Sequence, residues 1–252
     1  MTSMRSDSGF VIHVDGIDGA GKSTLLEVAR AWATARGKTV FDAVAFSKTH
    51  GRLPNNTDFD GEDVLLSAEP THAGIGKVIR EVIVATGTTS SARTAANAFA
   101  LDRMVLLETT ILPFLKGKSH RIVIQDRGLF TSLAYQPLQA ERFGHGEMVT
   151  AAQILALDGN RFAIDHAPNV FVFLDVDANE AERRLANRSE KDDAIFEETA
   201  FQRDLSARYR DPKLFQPLTD RGTTFVTLEG GRTREEVARD MHTLLDRLIP
   251  AD

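Results

Sequence analysis

Gly16, Gly21, Lys22 and Ser23 stand at the spacing G-x-x-x-x-G-K-[ST] within FVIHVDGIDGAGKSTL, residues 10–25. That spacing builds a backbone cradle for phosphate. Gly16, Gly19 and Gly21 permit angles that a Cβ forbids, so successive N–H groups can turn inward on an anion. A helix opening near residue 21 adds unpaired N–H groups and the positive end of its dipole. Lys22 brings a mobile charge to the outer phosphates, and the Ser23 hydroxyl is suited to ligate Mg2+. The expected donor-binding set is therefore Gly16, Asp18, Gly19, Ala20, Gly21, Lys22, Ser23 and Thr24, acting on ATP with Mg2+.

Asp126 ends the apolar run RIVIQ and is followed by Arg127. A carboxylate there can hold Mg2+ through water or help position an acceptor phosphate. The guanidinium beside it can clamp that phosphate and neutralise charge during transfer. Phe99 and Arg103 are spaced i, i+4 and share a helix face, so a ring plane and a guanidinium can together stack a base and bond its edge. The plainer reading makes Phe99 core and Arg103 the partner of a surface carboxylate. Ser132 and Tyr135 are three apart and also share a face.

These groups need a frame. Apolar runs at 10–15, 39–46, 64–68, 121–125, 170–175 and 223–228 read as strands, and helical patterns separate most of them: 21–36, 74–84, 90–116, 129–143, 147–162, 179–187, 195–209, 213–218 and 234–248. Pro113 is expected to kink the end of its helix. Strands alternating with helices imply an α/β fold, a parallel sheet of about five strands covered on both faces, with ligands at the carboxyl ends of the strands. The phosphate loop, Glu69-Pro70 and Asp126-Arg127 all fall at such ends. Residues 1–8 are expected to be a disordered tail and 9–250 one domain. The polar, turn-rich stretch 47–63 reads as an inserted surface loop or disordered segment, and the charged stretch 188–194 as a small lid.

With 252 residues and 42% hydrophobic residues, the chain can build a full core. It contains no cysteine, which excludes disulfides, thiolate zinc sites and cysteine nucleophiles. Its seven histidines form no metal-site spacing. MTSMRSDSG has no apolar segment of a secretory signal, and no stretch has the length of a membrane span, so a cytoplasmic protein is expected. A net charge of −6 argues against nucleic acid as a partner but not against a small anionic substrate, which a local arginine cluster can hold.

VIHVDGIDGAGKST, EPTHAGIGKVIRE, AFALDR, the DR at 126–127, TSLAYQ and FLDVDANEAERRL follow one another in the order seen in thymidylate kinases, and the chain resembles that family from about residue 9 to its last helix. The resemblance implies transfer of the γ-phosphate of ATP to dTMP. It implies that Phe99 stacks on thymine, that Arg103 contacts an exocyclic oxygen of the base, and that Tyr135 packs near the sugar 2′ position. It also implies that Glu69 and Pro70 shape the acceptor wall and that Asp126 and Arg127 lie between donor and acceptor. Asp18 would face the sugar 3′-hydroxyl, or else only cap its own turn. Ser132 and Gln136 reach the base or the phosphate, and Arg80 reaches the acceptor phosphate or is a solvated helix charge. Gly19 stands where some members carry arginine, and the family's other solution puts that charge in the lid, here Arg188 and secondarily Arg184. Homodimers are common among relatives.

Departures from the family pattern are Ala68 before Glu69-Pro70, Gly128 in place of a tyrosine after DR, Pro168-Asn169 in place of a proline-aspartate, and the stretch 47–63, which compact members lack. They bear on substrate preference. The alternatives are a kinase of another deoxynucleotide or of a deoxynucleoside on the same fold, and a non-enzymatic nucleotide switch. Arg127 favours the monophosphate, because a nucleoside acceptor needs a base and no arginine clamp.

Overall fold

A computed structural model describes residues 9–59, 61–85, 87–143, 148–186 and 199–249. Residues 1–8, the proposed lid 188–194 and Arg188 lie outside the described residues.

The chain opens with β1 (Phe10–Asp15), α1 (Lys22–Ala35), β2 (Val40–Asp42), α2 (Ala43–His50) and β3 (Val64–Ala68). Helix α3 (Ile75–Val78) widens into a π-helical turn over Ile79–Ile83. Next come α4 (Ala92–Leu106), a second π-helical turn (Leu107–Ile111), α5 (Leu112–Leu115), β4 (Ile122–Asp126) and α6 (Leu129–Phe143). The remainder runs α7 (Ala151–Leu155), α8 (Asp158–Asp165), β5 (Val170–Asp175), α9 (Ala178–Ala186), α10 (Thr199–Tyr209), α11 (Pro212–Thr219), β6 (Thr224–Glu229) and α12 (Arg234–Leu248).

The six strands, one in each of the six apolar runs, form one parallel sheet in the order β2-β3-β4-β1-β5-β6. Strands buried on both faces must be apolar throughout, and the VFVFL of β5 is fully buried. After β1 the chain moves out to β2 and works back to β4, then crosses to β5 on the other side of β1. Topology therefore reverses around β1 and β4, and the crevice at their carboxyl ends is where such sheets bind ligands. The core includes Ile12, Leu25, Trp32, Phe114, Phe130 and Phe171.

Three expectations are corrected. The run 39–46 is a strand only over Val40–Asp42; from Ala43 it is helix, because the Asp42 carboxylate accepts the Ala45 N–H (2.8 Å) as an N-cap. The stretch 47–63 is consequently no loop at its start, where residues 47–50 finish α2 and Gly51 closes it in the left-handed region (φ 67°). The long helix 90–116 is not continuous α-helix: it widens at Leu107–Ile111, just before Pro113, whose missing N–H cannot serve the preceding turn.

Candidate active site

The phosphate loop connects β1 to α1, and Gly21 precedes Lys22 with φ 106°. Helix α9 backs the loop so closely that a Cβ at Gly19 would lie 2.3 Å from the Ala181 carbonyl oxygen. Arg184 reinforces that backing: Glu180 holds it at 2.7 Å, and it donates to the carbonyls of Ala20 (3.1 Å) and Gly230 (2.8 Å). It sits behind the loop and does not line the cavity in front of it.

That cavity has a volume of about 840 Å³. Asp18, Gly19, Gly21, Lys22 and Ser23 line one side, and Glu69, Pro70, Phe99, Asp126, Arg127, Tyr135 and Gln136 line the other. Most of the residues expected to face donor and acceptor, twelve of them, thus share one space. Gly16, Ala20 and Thr24 do not line it; they belong to the backbone around the loop.

Arg127 holds the two sides together. It pairs with Asp18, approaches Asp15 at 3.5 Å and stacks its guanidinium over the Tyr135 ring at 5.2 Å. Its φ of 68° is positive, unusual for a residue with a side chain, and it follows Asp126 directly. Strain of this kind concentrates at functional sites. Burial works against the Asp18 carboxylate, yet Arg127 and Lys22 outweigh it and hold its pKa below the usual range. Tyr135 Oη (3.1 Å) and Gln202 Nε2 (3.1 Å) both donate to Asp18, and the Asp18 N–H donates to Gln202 Oε1 (3.1 Å). Asp18 is therefore held by neighbours, and no cap of its own turn accounts for it.

Lys22 is nearly buried, and its ammonium donates to the carbonyls of Gly16 (3.0 Å) and Ile17 (2.9 Å). Burial and the Arg127 charge push its pKa down. Such a group gains from the arrival of an anion.

Arg103 does not face the cavity. It is 2% exposed, pairs with Glu69, and donates to Asn160 and to Ser132 Oγ (2.9 Å). Ser132 is itself buried and faces Arg103. The helix face shared by Phe99 and Arg103 thus divides: Phe99 borders the cavity while the longer arginine turns beneath the Glu69-Pro70 wall. Arg80 lines the cavity, where it donates to the carbonyls of Pro70 (2.5 Å) and Thr71 (3.2 Å) and so braces the cis Glu69-Pro70 turn. It is not a solvated helix charge.

Sequence reasoning missed Asp15, Thr131, Tyr209 and Gln202. Asp15 is fully buried and accepts from the Gly16 N–H (2.8 Å), Thr131 Oγ1 (2.6 Å) and Tyr209 Oη (2.8 Å). Burial raises its pKa, opposed by Arg127 and Thr131. The signal for Asp15 was available: like Asp126, it is an acidic residue closing an apolar strand. Tyr209 and Gln202 reach Asp15 and Asp18 from α10, 194 and 184 residues away, with no local pattern to reveal them.

Two departures from the family pattern have structural reasons. A Cβ at Gly128 would meet His13 Nδ1 at 2.6 Å, so the histidine on β1 leaves no room for a side chain there. Asn169 Oδ1 accepts the Val11 N–H at 2.8 Å and ties the entry of β5 to β1.

A phosphate loop facing an aromatic and arginine wall across one cavity, at the switch point of a parallel sheet, defines a P-loop phosphotransferase. The family sequence model described as Thymidylate kinase matches residues 50–216. A probable thymidylate kinase of Thermococcus gammatolerans is 28% identical over 248 residues, covering 96% of this chain and 98% of its own length. The thymidylate kinase of Clavibacter michiganensis is 28% identical over 250 residues, covering 97% and 98%. A probable thymidylate kinase of Thermococcus onnurineus is 32% identical over 187 residues, covering 71% and 73%. The chain belongs to the thymidylate kinase family. Among the described residues, no helix is long and apolar enough to cross a membrane.

Proposed function

We infer that the chain transfers the γ-phosphate of ATP to dTMP, giving ADP and dTDP. The observation that carries this reading is the single cavity shared by the phosphate loop and the Phe99, Tyr135 and Arg127 wall. The acceptor phosphate is itself the nucleophile, so no general base is required, and catalysis rests on alignment and charge stabilisation.

In this reading the loop N–H groups and Lys22 hold the donor phosphates. Lys22 exchanges the Gly16 and Ile17 carbonyls for phosphate oxygens. Arg127 stands between donor and acceptor and neutralises charge on the migrating group. Phe99 stacks the base, Gln136 bonds its edge, and the Asp18–Tyr135 pair meets the sugar. Arg103 and Ser132 support Glu69 and the wall from below and touch no ligand.

Asp126 Oδ1 is buried with no hydrogen-bond partner and borders the same cavity as Ser23, which fits a bound cation. Among the described residues no cluster of three or more His, Asp or Glu could hold a metal alone, as suits Mg2+ bound chiefly through nucleotide phosphates and water. We assign Ser23 and Asp126 to Mg2+, which would supply positive charge against the phosphates. Exposed Val78, Val82 and Leu101 on α3, its π-helical turn and neighbouring α4 support a homodimer, which sedimentation velocity would detect. The acidic net charge supports a protein that does not bind nucleic acid, and the nucleotide substrates support a cytoplasmic location.

ADP release from Mg·ATP across a panel of nucleosides and monophosphates tests the function. dTMP should give the highest kcat/KM. Faster turnover of a nucleoside than of its monophosphate would favour the nucleoside kinase, and ADP release independent of any acceptor would refute both.

A further inference from the structure

The wall of the cavity contains an additional cation that neither the phosphate loop nor the DR pair supplies. Helix α2 places Val44 and Lys48, four residues apart, on the cavity, together with its cap Asp42. The segment that carries them is firmly anchored. Phe41 meets Phe59 edge-on at 5.1 Å, and Phe59 meets Phe114 at 5.2 Å. Arg52 clamps Asp58 with two bonds of 2.7 Å, and Thr110 Oγ1 donates to the Pro54 carbonyl at 2.7 Å. Helix α2 itself packs on β3, the strand that ends in Glu69-Pro70.

Six side chains bordering the cavity are basic or can become so: Lys22, Arg30, Lys48, His72, Arg80 and Arg127. Four of them are engaged. Lys22 is held by loop carbonyls, Arg30 by Asp42, Arg80 by the Pro70 and Thr71 carbonyls, and Arg127 by Asp18. Among the described residues, Lys48 has no hydrogen bond or ion pair. Its charge is felt by His72, three residues past Glu69, whose pKa is lowered to about 4 by burial and then by Arg80 and Lys48. Lys48 and Arg80 therefore bring positive charge to the part of the cavity beside the turn after β3, which Asp42 and Glu69 also border. Lys48 lies in the last turn of α2, where it also complements the helix dipole, but that role alone would not require it on the cavity.

We propose that Lys48 is a substrate-binding residue that pairs with the 5′-phosphate of the acceptor nucleotide, so that the β2–α2 segment forms part of the acceptor site. The inference rests on the acceptor reading above. A dianionic phosphate entering beside the Glu69-Pro70 turn meets a long, mobile ammonium with no competing partner, and Arg127 remains committed to the migrating group. Lys48 would discriminate the monophosphate from the free nucleoside.

Calorimetric titration of wild type, Lys48→Met and Lys48→Arg with dTMP and with thymidine tests this. Lys48→Met keeps the stem and removes the charge. It should weaken dTMP binding by about 10-fold, leave thymidine and ATP binding within about twofold, and be rescued by Lys48→Arg. Unchanged dTMP affinity in Lys48→Met overturns the proposal. Equal weakening of dTMP and thymidine also overturns it, because the wall would then act by shape. A wild-type protein that binds ATP but neither acceptor overturns the acceptor reading itself, and this inference with it.

Discussion

Arg103 and Glu69 form an ion pair beneath the wall of the cavity, Nη2 to Oε2 at 2.7 Å, with side chains only 2% and 4% exposed. Burial raises the Glu69 pKa, and the Arg103 charge opposes that rise. Removing one member strands the other, which costs far more than the pair contributes net. Arg103→Ala should therefore destabilise the protein by about 3–5 kcal/mol. The double variant Arg103→Ala/Glu69→Gln should lose less than the sum of the singles. Urea unfolding of all three checks this, and additive losses would show that the pair is not coupled.

In the proposed donor role Lys22 acts on phosphate charge in transfer, and its stem is buried among the loop atoms. Lys22→Met preserves that packing. It should lower kcat by on the order of 10²–10³ or more, with a melting temperature near that of the parent. Turnover close to wild type in a folded variant would remove the donor assignment.

The aromatic and charged groups at 99–136 show how far sequence can reach. The phosphate loop, the DR pair and the alternation of strands and helices along the chain were legible because each depends on residues close together in the chain. The direction of the Arg103 guanidinium was not legible because i, i+4 spacing fixes a helix face but not what packs against it. Asn160 and Ser132, from α8 and α6, decide the direction of its guanidinium. Helix α2 was missed because one side-chain cap at Asp42 outweighed a β-like run of valine and phenylalanine. The Gln202 and Tyr209 contacts depend on α10 returning to the loop, which no local pattern encodes.

Tyr135 is 4% exposed and borders the cavity. If its ring occupies the space a 2′-hydroxyl would need, Tyr135→Ala should narrow the kcat/KM ratio between dTMP and its ribose analogue. About 10-fold is expected, since steric rejection of a hydroxyl reaches only ~10². Tyr135→Phe should leave that ratio unchanged while losing the bond to Asp18. An identical ratio in Tyr135→Ala would end the sugar-selecting role.

His13 gives the stability a defined pH dependence. Burial, and then the Arg103 charge, lower its pKa from 6.5 to about 3. The unfolded chain takes up a proton near pH 6.5, whereas the folded protein resists until about 3. The contribution of His13 is therefore complete above pH 6.5 and lost progressively as pH falls towards 3, at up to about 1.4 kcal/mol per pH unit. The small cavity beside it also holds His166, Glu69 and Arg103, so the profile is best read by difference. His13→Gln should flatten the slope of unfolding free energy between pH 6 and 4, roughly, relative to wild type. A parallel slope in both proteins would mean that the ring is protonated freely in the fold.

Gln202 joins two parts of the molecule that sequence gives no reason to connect. It lies on α10, is 3% exposed, and meets Asp18 twice, accepting from its N–H and donating to its carboxylate. Asp18 also receives Tyr135 and pairs with Arg127, so Gln202 fixes the carboxylate that in turn orients the arginine. It acts through Asp18 and is a positioning residue. Its loss should leave ATP binding nearly unchanged and disturb the step that needs Arg127 aligned. Gln202→Ala is expected to lower kcat by about 10-fold with the KM for ATP altered less than about threefold, in line with one or two lost hydrogen bonds. Gln202→Glu puts a second carboxylate against Asp18 and should be the more harmful of the two, raising the Asp18 pKa and shifting the acid limb of the kcat profile upward. Should both variants lose only thermal stability while kcat and its pH profile stay at wild-type values, the α10 contact is structural and Asp18 needs no help to hold Arg127.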